Sequence, residues 1–201
     1  VAPSRRWIIT PMPLKEISHP AIDIDLRYAT PDNFTGQVIY DHAIAFLHKD
    51  ALQALVHAAE LAAAQGLRLR VLDAYRPSAA QWRLWAVMPD VRFVADPRKG
   101  SMHTRGVAVD LTLSDASGRP LDMGTAFDEM TEQSFHGRCD IAVEAQRNRC
   151  LLLGIMTVAG WDHHPFEWWH FNLPQPTRYP RLSDDVEGEF LMDVHPAEPS
   201  L

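Results

Sequence analysis

Between Asp50 and Gly66 the apolar residues recur at helical spacing, and from Leu67 the apolar period falls abruptly to two. This switch constrains the fold more than any other feature of the chain. Leu52, Leu55, Val56, Ala59 and Ala63 form one stripe on a helix that Asp50 and Gln53 open as a capping box and Gly66 stops. Leu67, Leu69 and Val71 then alternate with Arg68 and Arg70, which predicts a half-buried strand running into Asp73-Ala74-Tyr75-Arg76-Pro77. A striped helix and a one-faced strand each need a partner layer, so the pair predicts helices packed on a sheet.

The rest of the chain extends this pattern. Ile22, Ile24 and Leu26 alternate with Asp23, Asp25 and Arg27, predicting a strand over 22–28. Ser78 and Gln81 form a second capping pair, and Trp82, Trp85 and Met88 give that helix its apolar face until Pro89. Val107 to Leu113 is β-branched and apolar, and the turn residues over 114–124 are placed to close a hairpin. Ile141, Ala145, Leu152, Ile155, Met156 and Ala159 support a long helix over 140–159, stopped by Gly160. Residues 167–173 make the last strand, and Pro174, Pro176, Pro180, Pro196 and Pro199 follow in a tail. No repeat or composition break marks a second domain. The expectation is one α+β domain over 1–201, with helices on a small, largely antiparallel sheet and with 1–21 and 174–201 as peripheral extensions.

At 201 residues and 46% apolar content the chain has enough to bury a core without staples, which excludes a disordered polymer. No apolar run approaches the ~20 residues of a membrane span. A formal charge of −7 argues against nucleic acid as a partner, because a phosphate backbone calls for a basic face. Cys139 and Cys150 are too few for a zinc-finger or disulfide framework and read as half-buried thiols. On one helix, ~16 Å of axis would keep them out of disulfide reach. The chain starts at Val1, so either a leader has been removed or the chain has been trimmed. We expect the former, and with it a periplasmic rather than a cytoplasmic location.

Ten His and six Trp remain to be accounted for, and two clusters account for some of them. In Ser101-Met102-His103-Thr104-Arg105-Gly106-Val107-Ala108-Val109-Asp110, a His and an Asp seven apart read at first as structural. Along a strand they would point to opposite faces, so they meet one metal only if the chain bends between them, which Gly106 permits. In the second cluster, Glu167-Trp168-Trp169-His170, the carboxylate follows Phe166 and precedes two Trp. Burying it there is expensive without a partner, and a metal-bound water is one such partner. Trp169 and Phe171 read as core, with Trp168 nearer the cleft. Together the clusters offer two imidazoles and one carboxylate, with a second carboxylate to spare. Three protein ligands leave the fourth position of a tetrahedral zinc open to water, the catalytic arrangement.

Ser-x-His-x-x-Gly-x-Ala-x-Asp over 101–110, followed by Glu-x-Trp-His over 167–170, resembles the signature of the zinc D-alanyl-D-alanine dipeptidases. These are the VanX-like branch of a larger group with D,D-carboxypeptidases and the hedgehog fold. Residues 27–36, 73–77 and 123–128 resemble stretches of the same family in the same order, so the likeness runs from about Ile22 to Leu173. The resemblance implies one Zn2+ per chain on His103, Asp110 and His170, with Glu167 as general base and acid. It implies Arg76 as the cation that stabilises the oxyanion. Asp73 either orients Arg76 or sits solvated in its turn.

For a small, free D,D-dipeptide the resemblance implies Asp128 and Tyr28 at the ammonium and Ser101 at the carboxylate, with Tyr40 a weaker pocket candidate; Trp168, placed nearer the cleft by the residues around it, is a further substrate-binding candidate. Read from the residues alone, Asp128 serves equally as a helix cap and Tyr28 as a buried strand residue. Met102 stands where the resistance-type dipeptidases usually carry a second Ser, the 27 residues from Arg76 to His103 are few for those enzymes, and 133–136 departs from their usual run. These departures bear on substrate preference and leave the metal chemistry intact. His163 and His164, before Pro165, read as solvated, and His19, His42, His48, His57 and His195 have no partner pattern.

The expected function is zinc-dependent hydrolysis of D-alanyl-D-alanine or a similar free D,D-dipeptide. One alternative is a D,D-carboxypeptidase acting on peptidoglycan stems. Another is a zinc-bearing binding module without turnover, which would have no need of Glu167 or Arg76. A serine or cysteine hydrolase is disfavoured, because the chain has no Gly-x-Ser-x-Gly elbow.

Overall fold

The central layer is a five-stranded sheet in the order β2-β4-β5-β7-β6, formed by Ile22–Ile24 (β2), Arg68–Asp73 (β4), Ala108–Ser114 (β5), Asp162–His163 (β6) and His170–Asn172 (β7). The computed structural model describes residues 13–183 together with 185, 186, 189, 190, 192 and 194. Residues 1–12, His195, Pro196 and Pro199 lie outside the described residues. All pairings in the sheet are antiparallel except β2 with β4. Two-stranded ribbons join Leu14–Glu16 (β1) to Phe46–His48 (β3), and Asp185–Val186 (β8) to Glu189–Phe190 (β9).

Three α-helices occur among the described residues: Lys49–Ala63 (α1), Ser78–Val87 (α2) and Val143–Val158 (α3). Helix α1 packs on β4 and against α3, which packs on β5. The buried side of α1 is Ala51, Leu55, Ala58, Ala59 and Ala62, and α3 contributes Leu152, Ile155 and Met156. These residues share the core with Leu69 and Val71 of β4 and with Val109, Leu111 and Leu113 of β5. On β5 the alternate residues Asp110, Thr112 and Ser114 are polar and also buried. This central strand is therefore covered on both faces: the odd residues make core, and the even ones are available for chemistry. No helix among the described residues is long and apolar enough to cross a membrane.

The expected α+β layering is present, and several local expectations need correction. His48 caps α1, with Nδ1 accepting the Asp50 N–H at 3.2 Å, so Asp50 lies inside the first turn rather than capping it. Helix α2 has no side-chain cap, and Gln81 points inward while Trp82 is 45% exposed. Of the expected apolar stripe, Trp85 and Met88 are half-buried and pack against the core, whereas Trp82 does not; Ala80, Gln81 and Leu84 are the fully buried residues. Strand β2 ends at Ile24, which is exposed, and a 3-10 turn over Arg27–Ala29 buries Tyr28 instead. Helix α3 starts at Val143, not 140, which leaves Cys139 outside it, and both thiols are exposed rather than half-buried. The 114–124 turn does close a short hairpin as expected, with the Asp115 N–H donating to Arg119 O and the Leu121 N–H to Leu113 O, both at 2.9 Å, and a bridge pairing Ser114 with Pro120.

Described parts of the two stretches expected at the periphery contact the body. Leu14 and Ile17 are buried. Leu182 donates its N–H to Thr104 O at 2.9 Å and accepts the Tyr75 hydroxyl at 3.1 Å, so the chain after β7 passes over the turn that carries His103.

Candidate active site

Strand register brings the chemistry together. Asp110 on β5 lies opposite Asp73 on β4 and opposite His170 on β7, so three neighbouring strands carry polar residues in one row. A register irregularity between Val71 and Asp73 brings Asp73 into that row. His103 enters from a 3-10 turn over His103–Arg105, which Gly106 closes in the left-handed region at φ 68°. A Cβ at Gly106 would meet Leu14 Cδ2 at 2.9 Å and the His48 backbone nitrogen at 3.0 Å, so both conformation and space call for glycine. The bend anticipated between His103 and Asp110 is this turn.

The donor atoms of His103, Asp110 and His170 lie within 4.8 Å of one another. His103 Nδ1 is 2.7 Å from Ala74 O. A carbonyl can only accept, so Nδ1 carries the proton and Nε2 presents its lone pair to the cluster. That Nε2 is 3.2 Å from His170 Nδ1 and 3.4 Å from Asp110 Oδ2, and His170 Nδ1 is 3.0 Å from Asp110 Oδ1. Ligands on a tetrahedral ion at ~2.0–2.2 Å stand ~3.4 Å apart, so the spacing and the nitrogen-and-oxygen donor set fit a small divalent cation. Burial alone would raise the Asp110 pKa, but His103 and His170 outweigh it and hold the carboxyl well below its usual range. Burial also lowers the pKa of His170, which favours the neutral, ligating imidazole.

Glu167, Arg76, Tyr28, Asp128 and Ser101 line the same cleft. Glu167 is 6% exposed, with Oε2 3.7 Å from His164 Nδ1 and 3.8 Å from His170 Nδ1. Burial, reinforced by Asp110 and Asp128, pushes its pKa well above the ordinary carboxylate range. Arg76 Nε donates to Asp73 Oδ2 at 2.8 Å and Nη1 donates to Gln81 Oε1 at 3.0 Å, while Nη2 is 3.6 Å from Asp110 Oδ2. Tyr28 donates its hydroxyl to Asp128 Oδ2 at 2.7 Å, and burial raises the Asp128 pKa to about 8. Ser101 Oγ accepts the His103 N–H at 3.2 Å.

A family model described as D-ala-D-ala dipeptidase, peptidase M15, matches residues 9–188. The chain belongs to the D-Ala-D-Ala dipeptidase family. A D-alanyl-D-alanine dipeptidase of Escherichia coli is 49% identical over 165 residues, covering 82% of this chain and 86% of its own length. Its namesake from Enterococcus faecium is 34% identical, over 83% of this chain and 94% of that protein. A solved chain described as the LdcB LD-carboxypeptidase aligns with 64% of this one and 59% of its own length, at 18% identity and a TM-score of 0.39.

D-Ala-D-Ala dipeptidases belong to a metal-dependent hydrolase family, and the His103, Asp110 and His170 cluster is the possible metal site among the described residues of this member. One placement read from the residues does not hold. Trp168 is 3% exposed and turned away from the cleft, its indole N–H donating to Thr125 Oγ1 at 2.8 Å, while Trp169 lines the cleft. Glu167 to Trp169 form a turn ahead of β7, so strand alternation says nothing about which indole faces the site. Asp73 is fully buried rather than solvated and accepts the Tyr40 hydroxyl at 2.8 Å, which makes Tyr40 a support for the arginine rather than a wall of the pocket. Two participants were missed. Gln81, read from the sequence as a capping partner of Ser78, holds Arg76 instead. His164, expected to be solvated, lines the cleft beside Glu167, and no sequence pattern distinguished it from His163.

Proposed function

We propose that this dipeptidase hydrolyses D-alanyl-D-alanine to two molecules of D-alanine, with one Zn2+ held by His103, Asp110 and His170. The observation that carries the reading is the convergence of these three donors on the floor of a cleft that also presents Glu167 and Arg76. Bound zinc would polarise the scissile carbonyl and lower the pKa of a coordinated water.

The chain's own groups supply the rest. Glu167 takes the proton from the attacking water and hands it to the departing amine, and an elevated pKa suits a carboxyl that must hold that proton between the two transfers. Arg76 is fixed by Asp73 and Gln81, so its charge is in place where the carbonyl oxygen becomes negative. Asp128, braced by the Tyr28 hydroxyl, receives the substrate ammonium; a cation there restores the ionised state that burial disfavours. The Ser101 hydroxyl still has its own proton to donate to the carboxylate end.

The test compares the free dipeptide with its N-acetyl derivative, using protein stripped of metal and then reconstituted with zinc. We expect turnover only after zinc is restored, and a strong preference for the free ammonium. Equal rates on the acylated substrate would favour a D,D-carboxypeptidase, and zinc uptake without turnover on either would favour a binding module.

A further inference from the structure

A free dipeptide is a zwitterion, and the cleft lacks an obvious cation for its carboxylate. The charged groups that line it are Arg76, Arg92, Asp110, Asp128 and Glu167. Arg76 is engaged by Asp73, Gln81 and Asp110, and it is only 6% exposed. Ser101 offers one neutral hydroxyl, which leaves a carboxylate hydrogen-bonded but without an opposite charge.

Among the described residues lining the cleft, Arg92 is the only other guanidinium or ammonium group. It sits on the segment after α2, where Val94 is buried and donates its N–H to Asp90 O at 2.9 Å in a local turn. Gln81, which holds Arg76, also donates to Ala95 O at 2.7 Å, so the two arginines hang on one side-chain link. Asp90 engages the Arg92 fork through Nε at 3.1 Å and Nη2 at 2.6 Å, and the guanidinium lies over the Phe93 ring. These contacts orient the group, pair it with the Asp90 carboxylate and leave Nη1 without a hydrogen bond among the described residues.

We propose that Arg92 is the specificity residue that receives the α-carboxylate of the dipeptide, opposite the Asp128 end that receives its ammonium. The inference rests on the dipeptidase reading and extends it to a residue outside the metal and acid–base machinery. The pair forms at the mouth of the cleft, where Arg92 is still 63% exposed. Its worth is therefore that of a partly screened ion pair.

The experiment measures D-Ala-D-Ala and its C-terminal amide, which keeps the ammonium and removes the negative charge, on the zinc-loaded wild type, Arg92→Gln and Arg92→Lys. Arg92→Gln is expected to raise KM for the acid about three- to tenfold with kcat within about twofold, the scale of a half-exposed charge pair. The preference of the wild type for acid over amide should shrink by the same factor in Arg92→Gln, and Arg92→Lys should restore most of it. An equal loss on acid and amide, or no change on either, overturns the proposal. Wild-type protein that cleaves neither compound would instead remove the dipeptidase reading, and this inference with it.

Discussion

Asp110 and Glu167 are both buried carboxylates, and their different surroundings give them opposite tasks. Asp110 faces two imidazoles that hold it ionised, as a ligand needs. Glu167 has burial and two like charges against it, which makes protonation easy, as a proton carrier needs. Replacing Glu167 with Gln keeps the shape and removes the proton carrier. We expect kcat to fall by about 10²–10⁴ while the zinc content stays at one per chain. Loss of the metal in Glu167→Gln would show that the residue is a ligand, and unchanged turnover would place the base elsewhere. The same physics made Glu167 legible in the sequence, because a carboxylate set among Trp and Phe has to be explained by a partner, whereas Asp110, read at first as structural, was singled out by the family resemblance. Trp168 and His164 carried no such tension, because an indole or an imidazole in a turn is at ease facing either way.

At the scale of elements, the site depends on one tight turn. His103 and Asp110 sit on either side of Gly106, and both the positive φ and the contact with Leu14 and His48 restrict that position. Gly66, after α1, has a similar φ of 74°, and a Cβ added there would meet nothing within 4 Å, so it isolates the conformational cost alone. Gly66→Ala is expected to cost about 1 kcal/mol of stability and leave activity intact. Gly106→Ala should cost more, about 2–4 kcal/mol, because overpacking adds to the strain, and it should weaken zinc binding as the His103 turn shifts. Urea midpoints and zinc titrations of both variants give the comparison, and equal effects from the two would remove the role assigned to the turn. The helix-to-strand switch at Gly66 was legible because side-chain period reports local geometry directly. The caps were less so: His48 acts as the cap of α1 through a ring nitrogen that sequence preference ranks below the neighbouring Asp50.

Over the whole molecule, the strand order and the parallel pairing of β2 with β4 were beyond the sequence, since neither leaves a local pattern. The same is true of His136, which the tertiary fold half-buries against His163 and Phe171 with ring centroids 4.9 and 6.4 Å away. Among the described residues its Nε2 has no hydrogen-bond partner, and burial, with the His163 and Arg149 charges, lowers its pKa to about 4 from 6.5. The unfolded chain takes up this proton near pH 6.5, whereas the folded chain resists it until about pH 4. The unfolded state thus binds more protons through that window, and stability falls as the pH is lowered from 6.5 toward 4. Because the ring is only partly enclosed, the loss attributable to His136 between pH 7 and 5 is about 1–2 kcal/mol. His136→Phe keeps a ring in the same packing and removes the titration, so its urea midpoint should decline less than that of the wild type over this interval. If both proteins lose the same stability between pH 7 and 5, the acid sensitivity originates in other groups, and the unpaired Nε2 of His136 has no part in it.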